Sequence, residues 1–199
     1  MISSPLYAAR WGMARVDFTK MWEKTYNKGK CNEGGKTMPK NTPMRRKDRK
    51  VTDEDAIRFI LMNQEVLHLG LSDSDRIYVV PVNYAFTYED GHLALYFHGA
   101  KAGLKYDILQ EKPDVGFCID GDQMVIPDEK DAGSFTTHYK SVIGSGHVSM
   151  IRESGEARKA LTLFMKHYSP HDWDISDAMA ERAAIFRLDA EEFQVKVNR

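Results

Sequence analysis

The sequence predicts a mainly β domain, an antiparallel barrel with helices packed around it. Runs rich in Val, Ile, Tyr and Phe recur along the chain, and the first three are separated by short segments typical of hairpin turns. Helical periodicity is confined to short segments between the strands. The predicted order is helix, three strands, helix, two strands, helices and a final strand, which is typical of an antiparallel barrel with helical decoration.

The strands are predicted from β-branched and aromatic runs. The separators SDSDR and EDG carry the Asp, Ser and Gly typical of tight turns, so the first three strands form two consecutive hairpins. Residues 121–137 lack periodicity and predict a surface loop, whereas Gly144 and Gly146 predict a bulge or bend in a strand. The predicted strands are Glu65 to Leu71, Ile77 to Tyr88, His92 to His98, Val115 to Asp120, Tyr139 to Ile151 and Ala184 to Val197.

Four helical segments are predicted from apolar spacing and from start and stop signals. The first begins with Thr52 as its N-cap and three acids in its first turn, where the helix dipole favours them, and it ends near Gln64. The others run from Gly99 to a stop before Pro113, from Glu153 to Tyr168 with one apolar face, and near Ser176 to Arg182.

The chain divides into a basic, flexible extension, residues 1–43, and a folded domain, residues 44–199. Residues 23–50 are rich in Lys, Gly, Asn and Pro, and ordering them would cost more conformational entropy than their few apolar side chains return. Residues 11–26 carry scattered aromatics that favour a short helix on the domain. The length of 199 residues suits one domain with a sizeable core.

The net charge of -1 hides an uneven distribution of charged residues. Residues 1–50 carry 13 Lys and Arg against 4 Asp and Glu, and the remainder carries 15 against 25. Such a basic arm suits a nucleic-acid or membrane tether, but it is more often a solvated tail, so we expect no nucleic-acid partner and no membrane. No apolar stretch approaches the roughly 20 residues that span a bilayer.

The two cysteines, Cys31 and Cys118, lie far apart and form no CxxC pattern. They therefore indicate neither a disulfide framework nor a cysteine-based metal site. A reducing, cytoplasmic location fits this pattern best.

An anion site is suggested by the stretch YFHGAKAGLKYD, residues 96–107. A strand ending in His98 runs through the small residues Gly99 and Ala100 into a helix with Lys101 and Lys105. A helix start offers unpaired N–H groups, and Lys and His add charge-assisted hydrogen bonds. The alternative is an ordinary strand-to-helix turn with solvated lysines, since the diagnostic phosphate-loop spacings are absent.

Two further stretches have simpler interpretations when each is taken alone. In YVVPVNYAF, residues 78–86, Pro81 removes a ladder donor and so predicts an edge or bulge with backbone groups available to a ligand. In YKSVIGSG, residues 139–146, Ser141 lies on a strand just before two glycines. Taken separately, these are a plain edge strand and a routine strand end.

Together, in this order and spacing, the three stretches resemble the pyridoxamine-phosphate-oxidase-like FMN-binding split barrels, in particular the branch that includes the 5-nitroimidazole reductases. The resemblance begins at MRRKDRKVTDEDAI, residues 44–57, includes KPDVGFCID and EARKALTLFMKHYSP, and ends near Pro170. It covers about two-thirds of the chain. It implies an antiparallel split β-barrel that binds FMN.

The resemblance also implies which residues would bind FMN. The strand at 81–84 would position the flavin ring, Lys105 would be the main phosphate cation, and His98 and Ser141 would be hydrogen-bond donors. The strand at 139–142 would complete the pocket, which the partner subunit closes. The implied cofactor-binding residues are Pro81, Val82, Asn83, Tyr84, His98, Gly99, Ala100, Lys105, Tyr139, Ser141 and Val142.

The function implied is that of an FMN-dependent oxidoreductase working as a homodimer, with NAD(P)H or another donor and a small electrophilic substrate. The flavin does the chemistry in such proteins, so no catalytic residue is identified. Some of the reductases carry a histidine near the flavin where this chain has Asn83 and Tyr84, so the resemblance implies FMN binding more directly than nitroimidazole reduction. The alternatives are a flavin-binding protein without turnover and a haem-binding split barrel with a histidine ligand.

Other chemistry-bearing residues have weaker signals. His167 and His171 are four apart, but Ser169 and Pro170 interrupt the helix between them, so contact with a partner subunit or solvent is favoured over a metal site. Trp173 either covers the flavin of a neighbouring subunit or packs ordinarily. The strand residues His68 and His147 are expected to be structural.

Overall fold

A computed structural model of the protein describes residues 44–199. The predicted extension, residues 1–43, and the helix predicted at 11–26 lie outside the described residues. The strands are β1 (Lys50–Val51), β2 (Val66–Asp73), β3 (Arg76–Asn83), β4 (Ala85–Glu89), β5 (His92–Gly99), β6 (Asp114–Ile126), β7 (Thr136–Met150) and β8 (Ala184–Asn198). The α-helices are α1 (Glu54–Asn63), α2 (Leu104–Glu111), α3 (Ser154–Tyr168) and α4 (Asp177–Ala180), and short 3-10 turns occupy Lys47–Arg49 and Ala132–Ser134.

The strands form one antiparallel sheet in the order β3-β2-β6-β7-β8-β5-β4, with β1 added on β8. Within residues 44–199, β3 and β4 end this order without pairing with each other, so the curled sheet is split rather than closed. The mainly β, antiparallel split-barrel class predicted from the sequence is confirmed.

The core fills the inside of the curled sheet. Alternate side chains of β2, namely Leu67, Leu69 and Leu71, are fully buried, as are Ile60 and Leu61 of α1. This period of two on the strand and three to four on the helix is the pattern from which both elements were predicted. Burial of each such side chain contributes about 1.5–3 kcal/mol.

The N-cap of α1 is Asp53 rather than the predicted Thr52. Asp53 is extended, and its Oδ1 accepts a hydrogen bond of 2.9 Å from the N–H of Ala56. Asp and Thr are both good N-caps, and the aspartate gains further from its charge at the positive end of the helix dipole.

Two strand predictions needed correction. The run Ile77 to Tyr88, predicted as one strand, is β3 and β4 with a break at Tyr84. Much of the loop predicted at 121–137 is paired, because β6 continues to Ile126 and β7 starts at Thr136. A register shift between Gly121 and Met124 accommodates the unpaired residues between them, and this bulge hides the period of two.

The glycines of β7 produce the predicted bulge, because the β7–β8 register shifts between Ser145 and Gly146. A Cβ at Gly146 would lie 2.2 Å from the carbonyl oxygen of Asp189, whereas a Cβ at Gly116 would meet nothing nearer than 4.0 Å. We therefore expect Gly146→Ala to lower the free energy of unfolding by about 1–3 kcal/mol through overpacking, measured by chemical denaturation. Gly116→Ala is the matched control, and equal stability of the two variants would contradict this account of the bulge.

Candidate functional site

The β5–α2 connection carries the predicted anion site. His98 and Gly99 end β5, residues 100–103 form an exposed turn, and α2 begins at Leu104. The helix was predicted to begin directly after Gly99, but Gly103 adopts a φ of 101°, which ends the turn outside helical geometry. Lys101 therefore lies in the exposed turn, and Lys105 lies in the first turn of α2.

Lys105 is half-buried against the end of β5. Its Nζ is 5.8 Å from the centroid of the Phe97 ring, and a Cβ at Gly99 would lie 2.9 Å from that Nζ. Burial lowers the pKa of Lys105, and within residues 44–199 no carboxylate is in ion-pair contact with it. The lysine thus brings an uncompensated positive charge to a place kept open by a glycine.

His98 precedes Gly99, and the alternation of side chains along β5 directs it to the opposite face from Phe97 and Lys105, where α3 packs. Its Nδ1 is buried without a hydrogen-bond partner among the described residues, and its ring packs edge-on to Phe164 of α3 at a centroid distance of 4.5 Å. Burial, together with the positive charge of Lys105, lowers the pKa of His98. A buried polar atom without a partner costs about 1–3 kcal/mol, which a ligand that hydrogen-bonds to it recovers.

The chemistry of this cradle, defined as Gly99 and Lys105, fits a phosphate. It combines a cation with a glycine, and Lys105 lies in the first turn of α2, whose N-terminus has no side-chain cap. Of the predicted phosphate residues, the structure therefore brings Gly99 and Lys105 together, with Ala100 exposed in the adjoining turn and His98 packed on α3.

The predicted ring-binding strand, residues 81–84, lies at the open edge of the sheet. Pro81 pairs with His68 on β2 and has no strand on its other side among the described residues, which confirms the edge position. Pro81 and Asn83 are exposed, but Tyr84 is fully buried and donates its hydroxyl to the carbonyl of Leu61 at 2.6 Å. The side chain of Tyr84 therefore faces the core, because the chain turns inward at the break between β3 and β4.

Helix α3 connects the end of β3 to the end of β5. The sequence did not predict this connection. The hydroxyl of Tyr168 accepts the N–H of Tyr84 at 2.9 Å and donates to the carbonyl of Glu65 at 2.7 Å. Its ring contacts Phe164, which packs on His98. The signal was present, because aromatic rings at 164, 167 and 168 share one helix face.

Replacing Tyr168 with Phe removes both hydrogen bonds but keeps the ring. We expect the free energy of unfolding to fall by about 1–3 kcal/mol, since the N–H of Tyr84 loses its acceptor. Thermal or urea denaturation measures this change, and Tyr106→Phe on α2 is a matched control. A Tyr168→Phe variant as stable as the control would contradict the assigned role.

His167 is buried, which corrects the expectation that it contacts solvent or a partner subunit. It is 5% exposed, its Nε2 lies 2.9 Å from the carbonyl oxygen of Gln64, and its ring packs against Tyr84. The C-terminal turn of α3 packs on the barrel, which the sequence pattern did not show.

Helix α3 ends at Tyr168, so His171 lies beyond it. Residues 44–199 contain no cluster of three or more metal-ligating side chains.

The third predicted stretch lies at the other end of the barrel. Val142 is fully buried and paired on both sides, so it is not available to a ligand. Ser141 pairs with Lys196 of β8, whereas His98 pairs with Ile185. About 36 Å of strand separates these two β8 positions at roughly 3.3 Å per residue, so Ser141 lies near the opposite end of β8 from the cradle.

Comparison with known proteins supplies the family. The family model described as pyridoxamine 5'-phosphate oxidase matches residues 53–197 of the chain. The chain belongs to the pyridoxamine 5'-phosphate oxidase family. None of the curated proteins compared with it matches.

Solved structures agree with the fold of this family member. A candidate 5-nitroimidazole antibiotic resistance protein from Bacteroides thetaiotaomicron VPI-5482 is 24% identical with a TM-score of 0.63, over 74% of this chain and 86% of that chain. A flavocytochrome from Azotobacter vinelandii is 22% identical with a TM-score of 0.65, over 79% and 72%. An FAD and haem binding protein from Mycobacterium smegmatis is 13% identical with a TM-score of 0.65, over 76% and 74%. At these identities the likeness shows the fold alone.

The outer face of the sheet in this pyridoxamine 5'-phosphate oxidase family member carries exposed apolar side chains on the edge strand β3 and on β7. Ile77, Val79 and Ile143 are 71%, 59% and 48% exposed there. The register places Val79 beside Gly70 of β2 and then Gly116 of β6, so the middle of the face lacks side chains. Contiguous exposed apolar surface of this kind marks an interaction site.

No activated nucleophile lies on this face among the described residues. Burial, with Asp120 nearby, raises the pKa of the Cys118 thiol to about 11, so the thiol stays protonated at neutral pH. His68 lies 3.6 Å from Asp120, and His147 bonds to Asp114 across β6 and β7 at 2.8 Å. None of the helices in residues 44–199 is long and apolar enough to cross a membrane.

Proposed function

We propose that the protein is an FMN-dependent oxidoreductase whose site is built from two copies of the chain. The observation that carries this proposal is the cradle, in which Lys105 is half-buried beside Gly99 and has no acidic partner within residues 44–199. The phosphate of the cofactor would supply the missing anion there.

The ribityl phosphate would be held by charge-assisted hydrogen bonds. Lys105 would donate from Nζ, and Gly99 would let the phosphate approach without a side chain in the way. On the other face of β5, His98 packs against Phe164 and anchors the end of the strand to α3. These residues bind and orient, and they take no part in the chemistry.

The flavin ring would lie along the open edge of β3. Pro81, Val82 and Asn83 leave backbone groups there that no neighbouring strand within the described residues uses. Asn83 is held by a bond of 3.1 Å from its Nδ2 to the carbonyl of Glu65, next to the bond from Tyr168. When bound, FMN supplies the redox chemistry, and the protein contributes orientation and exclusion of water.

A second chain would complete the site. Tyr139 and Ser141 lie too far along β8 to reach the cradle of their own chain. The apolar face from Val79 to Ile143 is suited to a homodimer, and such an interface would bring β7 of one chain to the flavin of the other. The predicted site residues thus form two groups, one near the cradle and one near Ser141. This separation supports the homodimer implied by the sequence resemblance.

The substrate class is the one that the sequence resemblance implies. With NAD(P)H or another compound as electron donor, the bound flavin would supply the electrons that a small electrophile takes up. The candidate 5-nitroimidazole resistance protein from Bacteroides thetaiotaomicron makes nitroaromatics the first compounds to test. Asn83 and Tyr84 stand where some reductases have a histidine, and Tyr84 faces the core, so this chain offers no proton donor of that kind there.

The visible spectrum of the purified protein tests the proposal. A flavin spectrum, its bleaching by NADPH and its return with a nitroaromatic are the expected results. A bound flavin that NADPH does not bleach would make the protein a flavin carrier. A haem spectrum, or no binding of added FMN, would overturn the proposal.

A further inference from the structure

Basic side chains gather where β1, β7 and β8 meet, near the opposite end of β8 from the cradle. Lys50 of β1 pairs directly with Lys196 of β8. Both side chains point outward, because the adjoining residues of their strands, Val51 and Val195, are buried on the inner face. Directly opposite residues have Cβ atoms about 4.5–5.5 Å apart, so the two like charges destabilise each other.

This lysine pair lacks a counter-charge in the described part of the chain. Within residues 44–199, neither lysine is in ion-pair contact with a carboxylate. Basic residues nearby in the sequence and in the sheet differ in this respect, because Arg46 is paired with Asp48 and Lys140 with Asp122, each at 2.6 Å. The lysine pair therefore carries positive charge that the described residues leave uncompensated.

Arg49 adds a third positive charge beside the pair. It directly precedes Lys50, and its Nη1 donates to the hydroxyl of Tyr139 at 3.3 Å. Its Nε is buried and has no hydrogen-bond partner among the described residues, so part of this cation has left water without meeting an anion. An anion bound nearby would offset that cost through its charge, without a hydrogen bond to Nε.

Ser141 brings a hydroxyl to the middle of this group. It pairs with Lys196 across β7 and β8, and it lies on the same outward face, because Val142 and its partner Val195 are buried on the inner one. None of the described residues hydrogen-bonds to the hydroxyl of Ser141. Asp120 of β6 adjoins Ser141 on the other side, where it accepts a hydrogen bond from Gln123.

We propose that this cluster, defined as Arg49, Lys50, Ser141 and Lys196, is a second phosphate-binding site. The two lysines and the hydroxyl of Ser141 donate hydrogen bonds to the phosphate oxygens, and Arg49 adds positive charge. A phosphate monoester carries nearly two negative charges at neutral pH, which suits a cluster with three cations. The site goes beyond the proposed function, because its residues belong to one chain and need no bound flavin.

Two ligands share the chemistry that this cluster recognises. One is the pyrophosphate of a nicotinamide dinucleotide that donates electrons, and the other is the phosphate of a flavin held by a second chain. Both present anionic oxygens that accept hydrogen bonds from lysine. Inorganic pyrophosphate presents the same oxygens without a base or a flavin ring, so it is the probe for the site itself.

Titration calorimetry of the full-length protein with inorganic pyrophosphate at low ionic strength tests the site without flavin or turnover. Because the cradle also attracts anions, the parent protein for the comparison is Lys105→Ala. In this parent we expect Lys196→Ala to raise the Kd about five- to tenfold, since it removes a partly exposed charged donor. Lys159→Ala is the matched control, because Lys159 is an exposed lysine of α3, and it is expected to change the Kd by less than about twofold.

Equal Kd values for the Lys196→Ala and Lys159→Ala variants would overturn the second site, as would a Lys105→Ala parent that binds no pyrophosphate. Neither result concerns FMN binding to the wild type, which tests the proposed function separately. Once the pyrophosphate effect is present, NADPH and FMN distinguish the two ligands. Weaker NADPH binding to Lys196→Ala assigns the site to the electron donor, and weaker FMN binding assigns it to the flavin of a second chain.

Lys50→Ala covers the case in which Lys196→Ala does not fold. Lys50 is exposed on the short strand β1, and its removal relieves the repulsion between the two lysines. We therefore expect a Tm in phosphate-free buffer no lower than that of the parent, together with a five- to tenfold rise in the pyrophosphate Kd. A folded Lys50→Ala variant that binds pyrophosphate as tightly as its parent contradicts the proposal.

Discussion

Lys105→Ala is expected to weaken FMN binding by about 1.5–3 kcal/mol, which is roughly a ten- to hundredfold increase in Kd. The physical reason is the loss of the cation that faces the phosphate beside Gly99. Because Lys105 is half-buried, bulk ions do not replace its charge efficiently. Fluorescence titration of FMN into the purified variant measures the change.

Lys101→Ala is the matched control, because Lys101 lies four residues earlier in the exposed turn. Its removal is expected to change the Kd by less than about threefold at moderate salt. Equal effects of the two substitutions would indicate general electrostatic attraction. An unchanged Kd for Lys105→Ala would remove this lysine from the site.

Val79→Glu is expected to convert a dimer into monomers and to weaken flavin binding with it. Val79 is 59% exposed on the edge strand β3, where a carboxylate covered by a second chain would have no partner. An interface substitution of this kind costs at least about 2 kcal/mol, roughly a 30-fold increase in the dimer dissociation constant. Sedimentation velocity measures the mass, and absorbance of the flavin in the same run shows which species carries it.

Met62→Glu is the control for Val79→Glu. Met62 is 41% exposed on α1, away from the outer face of β3 and β2. It is expected to leave both mass and flavin binding unchanged. A wild-type protein that is monomeric and fully loaded with FMN would contradict the two-chain site.

Much of the fold follows from local sequence patterns. The Leu residues of β2 and the apolar positions of α1 repeat with the period of their element, so both were predicted close to their observed bounds. The β6–β7 arm was predicted as a loop, because the bulge at 121–124 breaks the period of two. The break at Tyr84 was missed for a different reason, since it is held by Tyr168 from a helix far along the chain.

The site was less predictable than the fold. Residues close in sequence, such as Gly99 and Lys105, could be placed together from their spacing, and the structure brings these two together. Ser141 could not be placed relative to them, because its distance depends on strand order and register along β8. The burial of His167 likewise depends on how α3 packs, which its own sequence does not contain.

A crystal structure of the protein with bound FMN tests the central claim most directly. The account predicts phosphate oxygens within hydrogen-bond distance of Lys105 Nζ of one chain, with Ser141 of the second chain beside the same flavin. A flavin held within one chain, or a phosphate seated away from Lys105, would contradict it.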